Sequence, residues 1–76
     1  MIKFHHKNRK DVVYWIPKLQ DKCEVYWNDI YTNDGYLESE AGSTTYDLPI
    51  ILNNFKNGVW VKLPTFKEYY KQAIQL

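Results

Sequence analysis

Apolar positions in the first third of the chain recur every second residue or run continuously, and only after residue 46 do they take helical spacing. Ile2 and Phe4 alternate with Lys3 and His5, which predicts a short first strand, and the polar run at 6–10 reads as a loop. Residues 12–16, Val-Val-Tyr-Trp-Ile, form a β-branched and aromatic run closed by Pro17. That is the pattern of a strand covered on both faces or lying at a sheet edge. From 24 to 31 alternation places Val25, Trp27, Asp29 and Tyr31 on one face and Glu24, Tyr26, Asn28 and Ile30 on the other, so both faces are mixed. Asn33-Asp34-Gly35 is a turn signal, because Gly accepts the positive φ that tight hairpins demand. An antiparallel hairpin of 24–32 with 36–40 follows.

Ala41-Gly42-Ser43-Thr44-Thr45 has the composition of a flexible connection. It leads into a helix over about 47–57, with Asp47 as cap, Pro49 in the first turn and Asn57-Gly58 as the stop. Leu48, Ile51, Leu52 and Phe55 supply its buried stripe. Residues 59–63 read as a strand ended by Pro64, and Thr65 with Glu68 makes a capping box for a second helix over about 66–75. Phe66, Tyr69, Tyr70, Ala73 and Ile74 carry the helical spacing onward. The expected fold is therefore α+β: a small antiparallel sheet of three to four strands packed against two helices, in one compact domain spanning 1–76.

Composition changes this picture in two respects. A chain of 76 residues buries only about 60% of the surface its unfolded form exposes, but thirteen aromatics give it large side chains with which to build a core. The single Cys23 rules out an internal disulfide and suits a reducing compartment, and no apolar run has the length of a secretion signal or a membrane span. A cytoplasmic setting is expected.

Charge is segregated along the chain. Residues 23–55 hold six carboxylates and no Lys or Arg, so the blocks 1–22, 23–55 and 56–76 carry +4, −6 and +3. A sign-biased surface steers a charged partner without specifying chemistry, so binding is favoured over catalysis. Glu24, Asp29, Asp34, Glu38 and Glu40 lie among Tyr26, Trp27, Tyr31 and Tyr36, the composition of an acidic rim around aromatic anchors. The expected partner is a protein with a basic surface, and the expected contact residues are Glu24, Tyr26, Asp29, Tyr31, Asp34, Tyr36, Glu38 and Glu40. Cross-strand pairing of Glu38 or Glu40 with Lys62 or Lys18 is the competing possibility, and would cancel the segregation in space. Lys3, Lys7, Arg9 and Lys10 form a basic cluster that offers an alternative, nucleic-acid-binding surface, opposed by the acidic block. Homo-oligomerisation through surplus aromatics is the third possibility.

Catalytic, metal and cofactor chemistry find little support. His5 and His6 are adjacent and would point to opposite faces of a strand, and no C-x-x-C, H-x-x-x-H or H-E-x-x-H spacing exists. Cys23 follows Lys22 but reads as a buried filler thiol, Glu38 and Glu40 as an exposed strand flank, and the three glycines stand singly rather than in a phosphate-binding loop. The chain is therefore expected not to be an enzyme.

The segment Thr45-Tyr46-Asp47-Leu48-Pro49-Ile50-Ile51-Leu52-Asn53-Asn54-Phe55-Lys56-Asn57-Gly58-Val59-Trp60 resembles a recurring pattern in small uncharacterised phage proteins, and the Lys-, Asn-, Tyr- and Ile-rich usage is similar to that of AT-rich phage genomes. The resemblance covers about a fifth of the chain and rests on packing positions. It implies a stoichiometric inhibitor or modifier of host machinery, such as a host-takeover or anti-CRISPR protein, acting in the host cytoplasm, and it carries over no functional residue.

Overall fold

The computed structural model describes residues 1–65 and 67. They form seven strands and one helix: β1 (Ile2–His6), β2 (Arg9–Ile16), β3 (Lys22–Trp27), β4 (Ile30–Tyr31), β5 (Leu37–Ser39), β6 (Gly42–Asp47), α1 (Leu48–Lys56) and β7 (Trp60–Lys62). Five strands make an antiparallel sheet in the order β6-β3-β2-β1-β7, and β4 and β5 make a separate two-stranded ribbon. The expected sheet on two helices is thus corrected to a mostly β fold with one short helix among the described residues. The second helix expected over about 66–75 lies outside the described residues apart from Lys67, and so does Glu68 of its capping box.

The sheet departs from expectation because residues 41–45 are not a linker. They belong to β6, which pairs with β3 without interruption from Lys22↔Asp47 to Trp27↔Gly42. Hydroxylated and aromatic residues at 43–46 suit a pleated strand, and Gly42 reads as flexible only in isolation. A Cβ on Gly42 would stand 3.1 Å from Trp27 Cζ2, so glycine is what lets the indole lie against the β6 backbone. The hairpin of 24–32 with 36–40 is accordingly replaced: β3 pairs with β6, and the intervening chain folds into the β4–β5 ribbon. The turn at 33–35 lies where the sequence places it, with Gly35 at φ +88° and its amide donating to the Thr32 carbonyl at 2.9 Å. The expected loop at 6–10 also shrinks, since Arg9 and Lys10 already belong to β2.

Alternation of the pleat sorts the side chains. Register aligns Phe4 with Tyr14, Tyr14 with Trp27, Val25 with Thr44 and Cys23 with Tyr46, which sets these residues on the inner face. Lys3, Trp15, Tyr26 and Ser43 align on the outer face. The core is Phe4, Ile16, Cys23, Val25, Ile51 and Trp60. Helix α1 joins the two edge strands β6 and β7 and covers the inner face with Ile51, fully buried, and with Leu48 and Phe55. Leu52 is half exposed and falls outside the expected stripe. The Asp47 side chain makes no capping hydrogen bond, and the first helical amide, Leu48 N, donates instead to the Asp21 carbonyl at 2.9 Å. Gly58, at φ +75°, follows the end of the helix as expected.

Curvature brings the sheet edges together. The Tyr46 ring on β6 meets the Trp60 ring on β7 edge-to-face at 5.2 Å, although three strands separate them in the sheet. The five strands therefore form a partly open barrel whose gap is bridged by α1.

Candidate functional site

Three features of this barrel bear on function: the β4–β5 ribbon, the β1–β2 turn, and a cavity between them on the inner face. The ribbon and its flanking residues hold four of the six carboxylates of the acidic block, Asp29, Asp34, Glu38 and Glu40. Tyr31, Tyr36 and Leu37 are 53%, 74% and 50% exposed on it, a concentration of apolar surface that the folded domain leaves uncovered.

The carboxylates around these residues do not act alike. Asp29 is occupied within the chain, its Oδ1 accepting the Ala41 amide at 2.7 Å and closing the base of the excursion. Glu24 lies on the outer face of β3 and accepts the Tyr26 hydroxyl, which holds the Tyr26 phenol above its ordinary value of 10.0. Glu38 accepts Arg9 Nη1 at 2.9 Å, so its cation is Arg9 rather than Lys62 or Lys18. Asp34 and Glu40 are exposed, and among the described residues their carboxylates have no ion-pair partner. The eight expected contact residues thus divide: Tyr31, Asp34, Tyr36 and Glu38 share the ribbon, Asp29 and Glu40 flank its two strands, and Glu24 and Tyr26 lie apart on the outer face of β3.

The basic cluster divides too. Lys3 lies on the outer face opposite Trp15, whereas Lys7 and Lys10 are exposed beside the β1–β2 turn. Arg9 Nε and Nη2 donate to the two carboxylate oxygens of Asp11 at 3.1 and 3.3 Å, while Nη1 holds Glu38. The guanidinium keeps the Asp11 carboxyl below its ordinary 3.8, and hydrogen bonds first to Asp11 and then to Glu38 raise the Arg9 value in turn. A three-residue clamp therefore ties the ribbon to the start of β2 and neutralises the one arginine of the chain.

Between ribbon, turn and sheet lies a cavity of about 590 Å³. Its walls are aromatic, from Phe4, Tyr14, Trp27, Tyr46 and Trp60. Tyr14 and Trp27 meet at 63° and Tyr46 and Trp60 at 84°, so the rings form two corners rather than one flat stack. His6, Asn8, Arg9, Ser39 and Thr44 supply polar groups around them, and no carboxylate lines the cavity. The Trp27 indole is fixed by donation from Nε1 to the Glu40 carbonyl at 2.9 Å. His6 Nδ1 accepts the Asn8 amide at 3.2 Å, which places the proton of the neutral ring on Nε2. Sequence reasoning missed this site. The signal that could have found it is the alternation of Tyr14 with Ile16, Val25 with Trp27 and Thr44 with Tyr46, but the last pair is informative only once 42–47 is recognised as a strand.

Among the described residues no three His, Cys, Asp or Glu side chains cluster in a way that could hold a metal ion, and no helix is long and apolar enough to cross a membrane. Cys23 is buried, with Sγ donating to the Gln20 carbonyl at 3.0 Å. No protein-family model, no curated protein and no solved structure matches this chain at a significant level.

Proposed function

We propose that this protein is a small cytoplasmic binding protein, without chemistry of its own, that occludes a basic surface on another protein through its β4–β5 ribbon. One observation carries the reading: the ribbon and its flank combine exposed Tyr31, Tyr36 and Leu37 with the exposed carboxylates Asp34 and Glu40, which have no ion-pair partner among the described residues. Aromatic side chains supply contact area at low entropic cost, and carboxylates beside them select a partner rich in Lys and Arg. The phage resemblance supports the same role, an inhibitor of a host protein that handles nucleic acid, since such a protein presents the basic surface the ribbon complements.

A direct test compares wild-type protein with a ribbon variant carrying Tyr36→Ser, Asp34→Asn and Glu40→Gln as baits in host lysate. A stoichiometric partner that the wild type retains and the variant releases, with retention falling as salt rises, supports the proposal. Equal capture by both baits, or self-association of the wild type through the ribbon seen by light scattering, overturns it. The nucleic-acid alternative loses ground because Arg9 is neutralised and Lys3 lies on the other face, leaving Lys7 and Lys10. A mobility shift that weakens steeply with salt and disappears in the Lys7→Ala/Lys10→Ala variant would favour it instead.

A further inference from the structure

The ribbon reading makes no use of the aromatic cavity, and the cavity has the attributes of a small-molecule site. Its volume of about 590 Å³ lies within the range of roughly 300–1,000 Å³ typical of ligand pockets. Its walls are rings and its polar groups are few and convergent, the combination that lets apolar area bind and polar atoms orient.

The polar groups discriminate between ligand classes. A quaternary ammonium or methylated lysine binds aromatic faces, but it offers no acceptor to the Arg9 and His6 N–H groups and finds no carboxylate in the lining. A strongly anionic ligand is disfavoured as well, since Asp11 and Glu38 both lie on Arg9. Three of the five Arg9 N–H groups serve those carboxylates, which leaves two N–H donors while two negative charges already face the one positive charge. His6 adds its Nε2–H, and Asn8, Ser39 and Thr44 add groups of mixed character. The ligand that fits is flat, uncharged and rich in acceptors at its edge.

We propose that the cavity binds a planar, neutral heteroaromatic ring of the nucleobase class, stacked on Trp27 with Tyr14 closing the corner beside it and hydrogen-bonded at its edge by Arg9 and His6, and that it takes this ring as a free nucleoside. Base–aromatic stacking tolerates any base, so edge donors determine which one is preferred. Gly42 contributes by letting the Trp27 indole lie close to the β6 backbone.

The three tryptophans make the test internal. Trp27 and Trp60 line the cavity, whereas Trp15 stacks on Tyr26 at 5.9 Å on the outer face. Titration of the ¹⁵N-labelled full chain with adenosine, guanosine, cytidine and uridine, followed by indole NH resonances, is expected to give saturable shifts at Trp27 and Trp60 with Trp15 unmoved. Thr44→Trp, which fills the cavity from an exposed strand position, is expected to weaken binding at least tenfold while its thermal melt confirms folding. Tetramethylammonium chloride is expected to shift neither indole, and nucleoside 5′-monophosphates to bind no tighter than nucleosides. Failure of all four nucleosides to saturate the wild type overturns the proposal even if the variant does not fold. It is likewise overturned by saturation with tetramethylammonium, by tighter binding of monophosphates or of a single-stranded oligonucleotide, or by equal nucleoside binding to a folded Thr44→Trp.

Discussion

At the scale of single residues, the acidic block is a set of different jobs. Asp29 closes a loop, Glu38 completes a clamp, Glu24 serves a neighbouring phenol, and Asp34 and Glu40 stay free of ion pairs among the described residues. The Glu24–Tyr26 pair gives a measurable sign. A hydrogen bond to a carboxylate favours the neutral phenol, so Tyr26 ionises above its ordinary 10.0 in the folded protein. Its stabilising contribution is complete below pH 10 and is lost as pH rises through the higher folded value. Ultraviolet titration of the tyrosinates in wild type and Glu24→Gln should show one phenol moving to lower pH in the variant. An unchanged titration would detach Tyr26 from Glu24. None of this was legible in the sequence, where Glu24 and Tyr26 are simply two residues on one strand face.

At the scale of elements, the clamp of Arg9, Asp11 and Glu38 connects β2 to the ribbon across 29 residues of chain. Arg9→Gln should loosen the ribbon without unfolding the barrel, read as faster hydrogen exchange at the Thr32 and Tyr36 amides with β3 and β6 amides unchanged. Because Asp11 titrates below 3.8, its share of the clamp persists above that pH and is lost only as pH falls through the lower folded value. Uniform acceleration over the whole sheet in Arg9→Gln would show that the ribbon is not a separable element. The strands β1, β2 and β7, the helix and the turn at 33–35 were readable because each depends on local pattern and punctuation. The pairing of β3 with β6 was not, because it depends on Gly42 meeting Trp27, a contact between residues fifteen positions apart. The candidate cavity was hidden by the same misreading, since Thr44 and Tyr46 belong to it only as parts of a strand.

At the scale of the whole molecule, α1 is the piece that turns a curled sheet into a closed core. Ile51 is fully buried beneath it, and deletion of a buried Ile side chain to Ala costs about 2–5 kcal/mol. Ile51→Ala is expected to lower the urea midpoint accordingly, whereas Leu52→Ala, half exposed one residue later, should stay within about 0.5 kcal/mol of wild type. Comparable losses from both would mean that the helix seats differently on the barrel. The strand order has a consequence for biosynthesis as well. β1 is made first yet lies between β2 and β7, and its partners Trp60, Val61 and Lys62 are made more than fifty residues later. At translation rates of about 5–20 residues per second, one edge of β1 waits roughly 3–11 s for its mate. During that interval the emerging chain carries an open hydrogen-bonding edge on its first strand, so the ribosome-bound intermediate, rather than the finished protein, is the form most exposed to mispairing.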